Sequence, residues 1–97
     1  MMDKIFKALV DKNRRKVITL LKEQDLSVNE ILKSFTISQA TLSSHLAVLR
    51  KCGLVRCRVN GKQRIYGLNK ELLAAFTREL NKFIGLVDLG LPVYRTN

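Results

Sequence analysis

Residues Ser38–Leu49 read SQATLSSHLAVL, and the fold turns on this stretch. Ser38 suits a helix start, because its hydroxyl can accept a hydrogen bond from a free amide of the first turn. Leu42, Leu46 and Leu49 then recur at the i, i+4, i+7 spacing of one buried helix face. Opposite that stripe stand Ala40, Ser43, Ser44 and Ala47, which are small or hydroxylated and carry no charge. A solvated helix face normally carries Lys and Glu, so this bare face is expected to meet a partner.

Upstream, LSVNEIL supplies the other half of a two-helix unit. Ser27 with Glu30 fits a capping box, and Val28, Ile31, Leu32 and Phe35 face inward. Thr36 and Ile37 make a short turn into Ser38, and the pair reads as a helix-turn-helix. Before it, Asp3 caps a first helix through Val10, and Asp11 caps a second with Val17, Ile18, Leu20 and Leu21 on its apolar face.

Downstream, the central helix ends near Cys52, and Gly53 sits where a helix exit needs positive φ. LVRCRV then alternates, with Val55, Cys57 and Val59 on one side and Arg56 and Arg58 on the other. Asn60–Gly61 signals a hairpin with a type I′ turn, and KQRIYGL returns as the second strand. Asn69 caps a last helix whose apolar positions include Leu72, Leu73, Phe76, Leu80, Phe83, Ile84 and Val87. The expected fold is therefore mainly α with a two-stranded β-wing: a winged helix-turn-helix of four helices, a hairpin and a fifth helix.

Length and charge bound the function. Ninety-seven residues make a single domain, 1–97, with a tail at 88–97 expected to be irregular. Eighteen Lys and Arg face eight Asp and Glu, a net charge of +10. The excess is local: no acid occurs between Glu30 and Glu71, where eight basic residues stand. Such a one-sided segment is the footprint of a polyanion binder. Together with the bare helix face it points to double-stranded DNA, the small side chains entering a major groove. An acidic protein or RNA partner for the basic face is the alternative. One His and few carboxylates offer no arrangement of an enzyme site. No apolar run reaches the ~18 residues of a membrane span, and MMDKIFKALVDKNRR is unlike a signal peptide. The chain is expected to be cytoplasmic, without a membrane partner.

Four pieces in order resemble the ArsR-type winged-helix transcriptional regulators, within them the small repressors lacking a metal site. FKALVDKNRRKVITLL resembles the opening helices, although Lys12 stands where a Pro is usual; LSVNEIL resembles the helix before recognition. SQATLSSHLAVLRKCGLV resembles the recognition helix and its exit, and RVNGKQRIYGL the wing. The resemblance runs from about Ile5 to Leu68. It implies a homodimeric repressor on a roughly palindromic operator, with half-sites about one helical turn, ~10 bp, apart.

By that resemblance Gln39, Ala40, Ser43 and Ser44 are the base-facing and near-phosphate positions, and Arg58 and Lys62 contact the backbone or minor groove. Gln pairs well with adenine, and Ser with base or phosphate. Arg56 and Arg64 join them on charge alone. His45 lies beside the buried leucines, so a packed structural histidine is the first reading and a phosphate contact the second. The resemblance places the dimer interface on the terminal helices, about 3–10 and 70–87, with Ile5, Phe6, Leu9, Leu73, Phe76, Leu80, Phe83 and Ile84 as its residues.

Metal sensing is not expected. LSVNEILKSF has no Cys, and KELLAAFTRELNKFIGLV has no His or Asp, so the metal sites known in such regulators lack their ligands. No cofactor is expected either. Cys52 and Cys57 leave a redox-responsive repressor as an alternative, since basic neighbours can lower a thiol pKa.

Overall fold

The computed structural model describes residues 2–84, so the tail at 88–97 and the end of the last helix at 85–87 lie outside the described residues. The elements are α1 (Met2–Leu9), α2 (Lys12–Leu21), β1 (Leu26–Ser27), α3 (Val28–Leu32), α4 (Gln39–Lys51), β2 (Val55–Asn60), β3 (Gln63–Leu68) and α5 (Lys70–Ile84).

The helix starts are set by side-chain caps. The Asp11 carboxylate accepts from the amides of Asn13 at 2.8 Å and Arg14 at 3.3 Å. Ser27 and Glu30 form the reciprocal box, with bonds of 3.2 and 2.9 Å. Ser38 Oγ accepts from the Thr41 amide at 3.1 Å, and Asn69 Oδ1 from the Leu72 amide at 3.1 Å. Each satisfies an amide that has no partner within its helix. Asp3 is different: α1 already begins at Met2, so Asp3 stands in its first turn, where its charge suits the helix dipole. The far end of α1 is closed by arginines of α2. Arg14 Nε donates to Ala8 O at 2.7 Å, and Arg15 donates to Leu9 O and Val10 O at 2.8 and 2.7 Å.

One core runs through all these elements. Leu42, Leu46 and Leu49 are each fully buried, together with Val17, Leu21, Ile31 and Leu54. Burying a leucine contributes about 1.5–3 kcal/mol, so the α4 stripe alone fixes this helix against α2 and α3. Gly53, at φ +89°, then reverses the chain into β2. Asn69 locks that exit to α5: its amide donates to Leu54 O at 2.8 Å and its side chain to Gly53 O at 3.1 Å.

Four local expectations are corrected. The sheet has three strands, in the order β1-β3-β2, because Leu26 and Ser27 pair antiparallel with Tyr66 and Ile65. The helix α3 stops at Leu32, not Phe35; the i→i−3 bonds Ser34 N–Ile31 O and Phe35 N–Leu32 O, each 3.0 Å, tighten the chain out of it. The wing turn is centred on Gly61–Lys62, since Asn60 pairs with Gln63. Only Gly61 has positive φ, +66°, so the turn has the φ signs of type II′, with Gly at its first central position, and not type I′. Finally, Val59 does not join Val55 in the core; it is 72 % exposed, because the hairpin runs on beyond the elements that cover its base.

Candidate nucleic-acid interface

The N-terminal half of α4 presents Gln39, Ala40, Ser43 and Ser44 to solvent, while Leu42 and Leu46 hold the opposite side in the core. The exposed face is uncharged and low in relief. Ser44 Oγ donates back to Ala40 O at 3.2 Å, which fixes the hydroxyl and leaves its lone pairs outward.

The wing closes on the start of this helix. Gln39, Lys62 and Arg64, with Asn29 and Gln63, line one groove of about 240 Å³ beneath the N-termini of α3 and α4. Three separate parts of the sequence, around Asn29, Gln39 and Lys62–Arg64, thus share one polar, positively charged surface. Asn29 and Gln63 complete the lining as neutral residues that carry no signal of their own in the sequence.

Arg56 and Arg58 are not part of that groove. They lie on the other strand of the wing with Asp25, Ile65 and Gly67, around a second hollow of about 370 Å³. Arg58 Nη2 is 3.8 Å from Asp25 Oδ2. Asp25 comes from outside the acid-free run, and no local pattern in the sequence marks it. The readable signal was Gly67, a glycine inside a strand, which marks a close approach. A Cβ there would stand 2.7 Å from Asp25 Oδ1.

His45 is mostly buried, with only 14 % of its side chain exposed, and its Nε2 is 4.0 Å from Asp11 Oδ1. It packs against the α2 cap and stands apart from the face made by Ser43 and Ser44. Partial desolvation pulls the Asp11 carboxyl upward. The Asn13 and Arg14 amides, with the charges of His45 and Arg14, outweigh it and leave the group below its ordinary value of 3.8.

Cys52 and Cys57 are free thiols with separate surroundings. Cys52 Sγ donates to Leu49 O at 3.3 Å, whereas Cys57 is in register with Tyr66. Burial pushes the Tyr66 hydroxyl above its ordinary pKa, and Cys57 beside it adds to the shift. Among the described residues no three His, Cys, Asp or Glu side chains gather closely enough to hold a metal. Among the same residues no helix is long and apolar enough to cross a membrane.

At the terminal helices, Ile5 and Phe76 are 2 and 8 % exposed within the chain's own core, so little of either is left for a partner. Phe6 remains 38 % exposed, its ring edge-on to Phe76 with centroids 5.1 Å apart. Leu9, Leu73 and Leu80 are half-buried, and the side chains of Phe83 and Ile84 lie outside the described residues.

The chain has clear relatives. Residues 11–56 match the family model described as bacterial regulatory protein, arsR family. A transcriptional repressor, SdpR of Bacillus subtilis, is 32 % identical over 93 % of this chain and 100 % of its own length. An arsenical resistance operon repressor of Staphylococcus xylosus is 36 % identical over 89 % of this chain and 82 % of its own. The crystal structure of an ArsR family transcriptional regulator superposes with a TM-score of 0.79 at 28 % identity, covering 89 % of this chain and 94 % of that one.

Proposed function

The chain belongs to the ArsR family of bacterial regulatory proteins, and we propose that it works as a homodimeric repressor on a two-fold-symmetric DNA operator. It is a transcriptional regulator and not an enzyme. The observation that carries the finer reading is the uncharged face of Gln39, Ala40, Ser43 and Ser44 standing beside the cations of the wing. Small, neutral side chains let a helix approach base edges closely, while Lys62 and Arg64 sit where a phosphate chain would pass. Base contacts then select the sequence, and the wing contributes attraction that is indifferent to sequence.

Dimerisation supplies the symmetry. Phe6 is exposed, and Met2, Leu72 and Ala75 border an apolar groove of about 250 Å³ with Phe76. Pairing the α1 and α5 faces of two chains covers this apolar surface and places two copies of α4 on one side of the assembly. A dimer seated across a promoter excludes polymerase, and no bound signal is needed for that step. The site of action is the cytoplasm, where the operator lies.

Selection from a random duplex library tests this reading. The expected product is an inverted repeat with half-sites about one helical turn apart. Enrichment of a single asymmetric site, or of none, would contradict it.

A further inference from the structure

A hollow of about 400 Å³ lies where α1, the start of α2 and the C-terminal end of α4 meet. We propose that it binds a small amphipathic organic anion, a carboxylate on an apolar body. The floor is apolar: Ala8 is fully buried, Val48 is 37 % exposed, and Cys52 is half-buried. The rim is cationic throughout, with Lys4 and Lys7 one turn apart on α1, Arg14 on α2 and Lys51 on α4. No acid lines it.

Among the described residues no carboxylate pairs directly with a rim cation, although Asp11 feels the charge of Arg14. The ion pairs among the described residues involve other groups: His45 with Asp11, Arg58 with Asp25, and Lys82 with Glu79. Arg14 is held in place by the carbonyls of Ala8 and Lys7, so its charge is fixed at the rim. Like charges around a low-dielectric wall focus a positive potential into the opening. An apolar floor beneath a few polar groups, at this volume, is the usual make-up of a small-molecule site. A hydrated inorganic anion would satisfy the rim and leave the floor uncovered. A neutral hydrophobe would cover the floor and leave the cations unanswered. An amphipathic anion does both.

Titration of the isotopically labelled full chain with 1-naphthoate, followed by amide and methyl resonances, tests the assignment. Naphthoate is expected to shift Lys4, Ala8, Val48 and Cys52, and to bind at least tenfold more tightly than 1-naphthalenemethanol or inorganic phosphate. Lys7→Glu with Lys51→Glu is expected to weaken it at least tenfold without changing the melting curve. The control pair Lys70→Glu with Lys82→Glu, which alters net charge equally, is expected to leave binding intact. Equal binding of the alcohol or of phosphate would overturn the proposal, as would shifts centred on Met2 and Phe76 or an equal loss in the control pair. Nuclear Overhauser contacts from the Val48 methyls to residues 85–97 would assign the hollow to the chain's own end and overturn it too.

Discussion

The carboxylate of Asp25 and the guanidinium of Arg58 lie 3.8 Å apart, joining the stretch after α2 to the first strand of the wing. Gly67 makes room for this, since any side chain there would collide with Asp25. The pair is open to solvent, with 62 and 54 % of the two side chains exposed. Its strength is therefore within about 0–1 kcal/mol. In the free protein one wing cation is thus partly neutralised by an acid of the same chain, and in the proposed DNA complex a phosphate would compete with that acid for it.

Asp25→Asn is accordingly expected to raise DNA affinity by about two- to fivefold at low salt, the range such a pair allows. Gly67→Ala should act in the same direction by pushing the carboxylate aside. The two changes should not add. Fluorescence anisotropy with a labelled duplex measures both, and the gain should vanish when Arg58 is already Ala. An equal gain in that background would mean that net charge, and not the pair, is responsible.

The caps give a second prediction, on stability. Ser38→Ala removes the acceptor for the Thr41 amide and is expected to destabilise the fold by about 1 kcal/mol. For a domain of this size that lowers the melting temperature by about 4–8 °C in a circular dichroism melt. A shift below the error of the melt would show that water replaces the cap freely at this exposed helix start.

Acid sensitivity follows from Asp11 and Glu30. Both carboxyls lie below their ordinary values of 3.8 and 4.5. For Glu30 the Ser27 amide and hydroxyl are the main causes. As pH falls, the unfolded chain takes up these protons first, so the stabilisation is complete above the ordinary values and is lost as pH falls through the folded ones. Urea melts between pH 6 and 2 should show a decline in stability that is shallower in Asp11→Asn and in Glu30→Gln. A decline of unchanged steepness in both variants would place the acid-sensitive groups elsewhere.

The proposed dimer predicts that Leu73→Glu with Leu80→Glu gives a monomer, because both side chains, packed at the edge of the core, leave part of their surface open on α5. Sedimentation should show the parent at twice the chain mass and the variant at once that mass. A variant that still sediments as a dimer would move the interface off this face of α5.

Much of this architecture was legible in the sequence because it rests on short-range chemistry. The caps at Asp11, Ser27, Ser38 and Asn69 act within three residues, and the Leu42–Leu46–Leu49 stripe lies within one helix. What the sequence does not show depends on long-range closure. The strand β1 is two residues long and exists only because Tyr66 and Ile65 come alongside it. Asp25 meets Arg58, and Asp11 meets His45, through folding that brings the two ends of α2 against the basic unit. Charge counted along the chain therefore overstates the isolation of that unit: its linear run has no acids, but two carboxylates reach it in space. At the site itself, Gln39, Lys62 and Arg64 do converge, whereas Arg56 and Arg58 occupy a separate part of the wing. Whether a wing arginine shares the groove depends on strand alternation and on the turn, and the turn was displaced by one residue from its expected place.

In the proposed function the exposed face of α4 reads DNA while the wing supplies attraction. The most direct test is the equilibrium affinity of the parent chain and of Ser44→Glu for the selected inverted repeat and for an unrelated duplex, across a series of salt concentrations. Ser44 is exposed, so the charge is expected to leave the fold intact. The parent is expected to prefer the repeat, with log affinity falling linearly with log salt. Ser44→Glu is expected to lose that preference by 100-fold or more while keeping its melting temperature. A Ser44→Glu chain that binds the repeat as tightly as the parent would mean that this face of α4 does not read DNA.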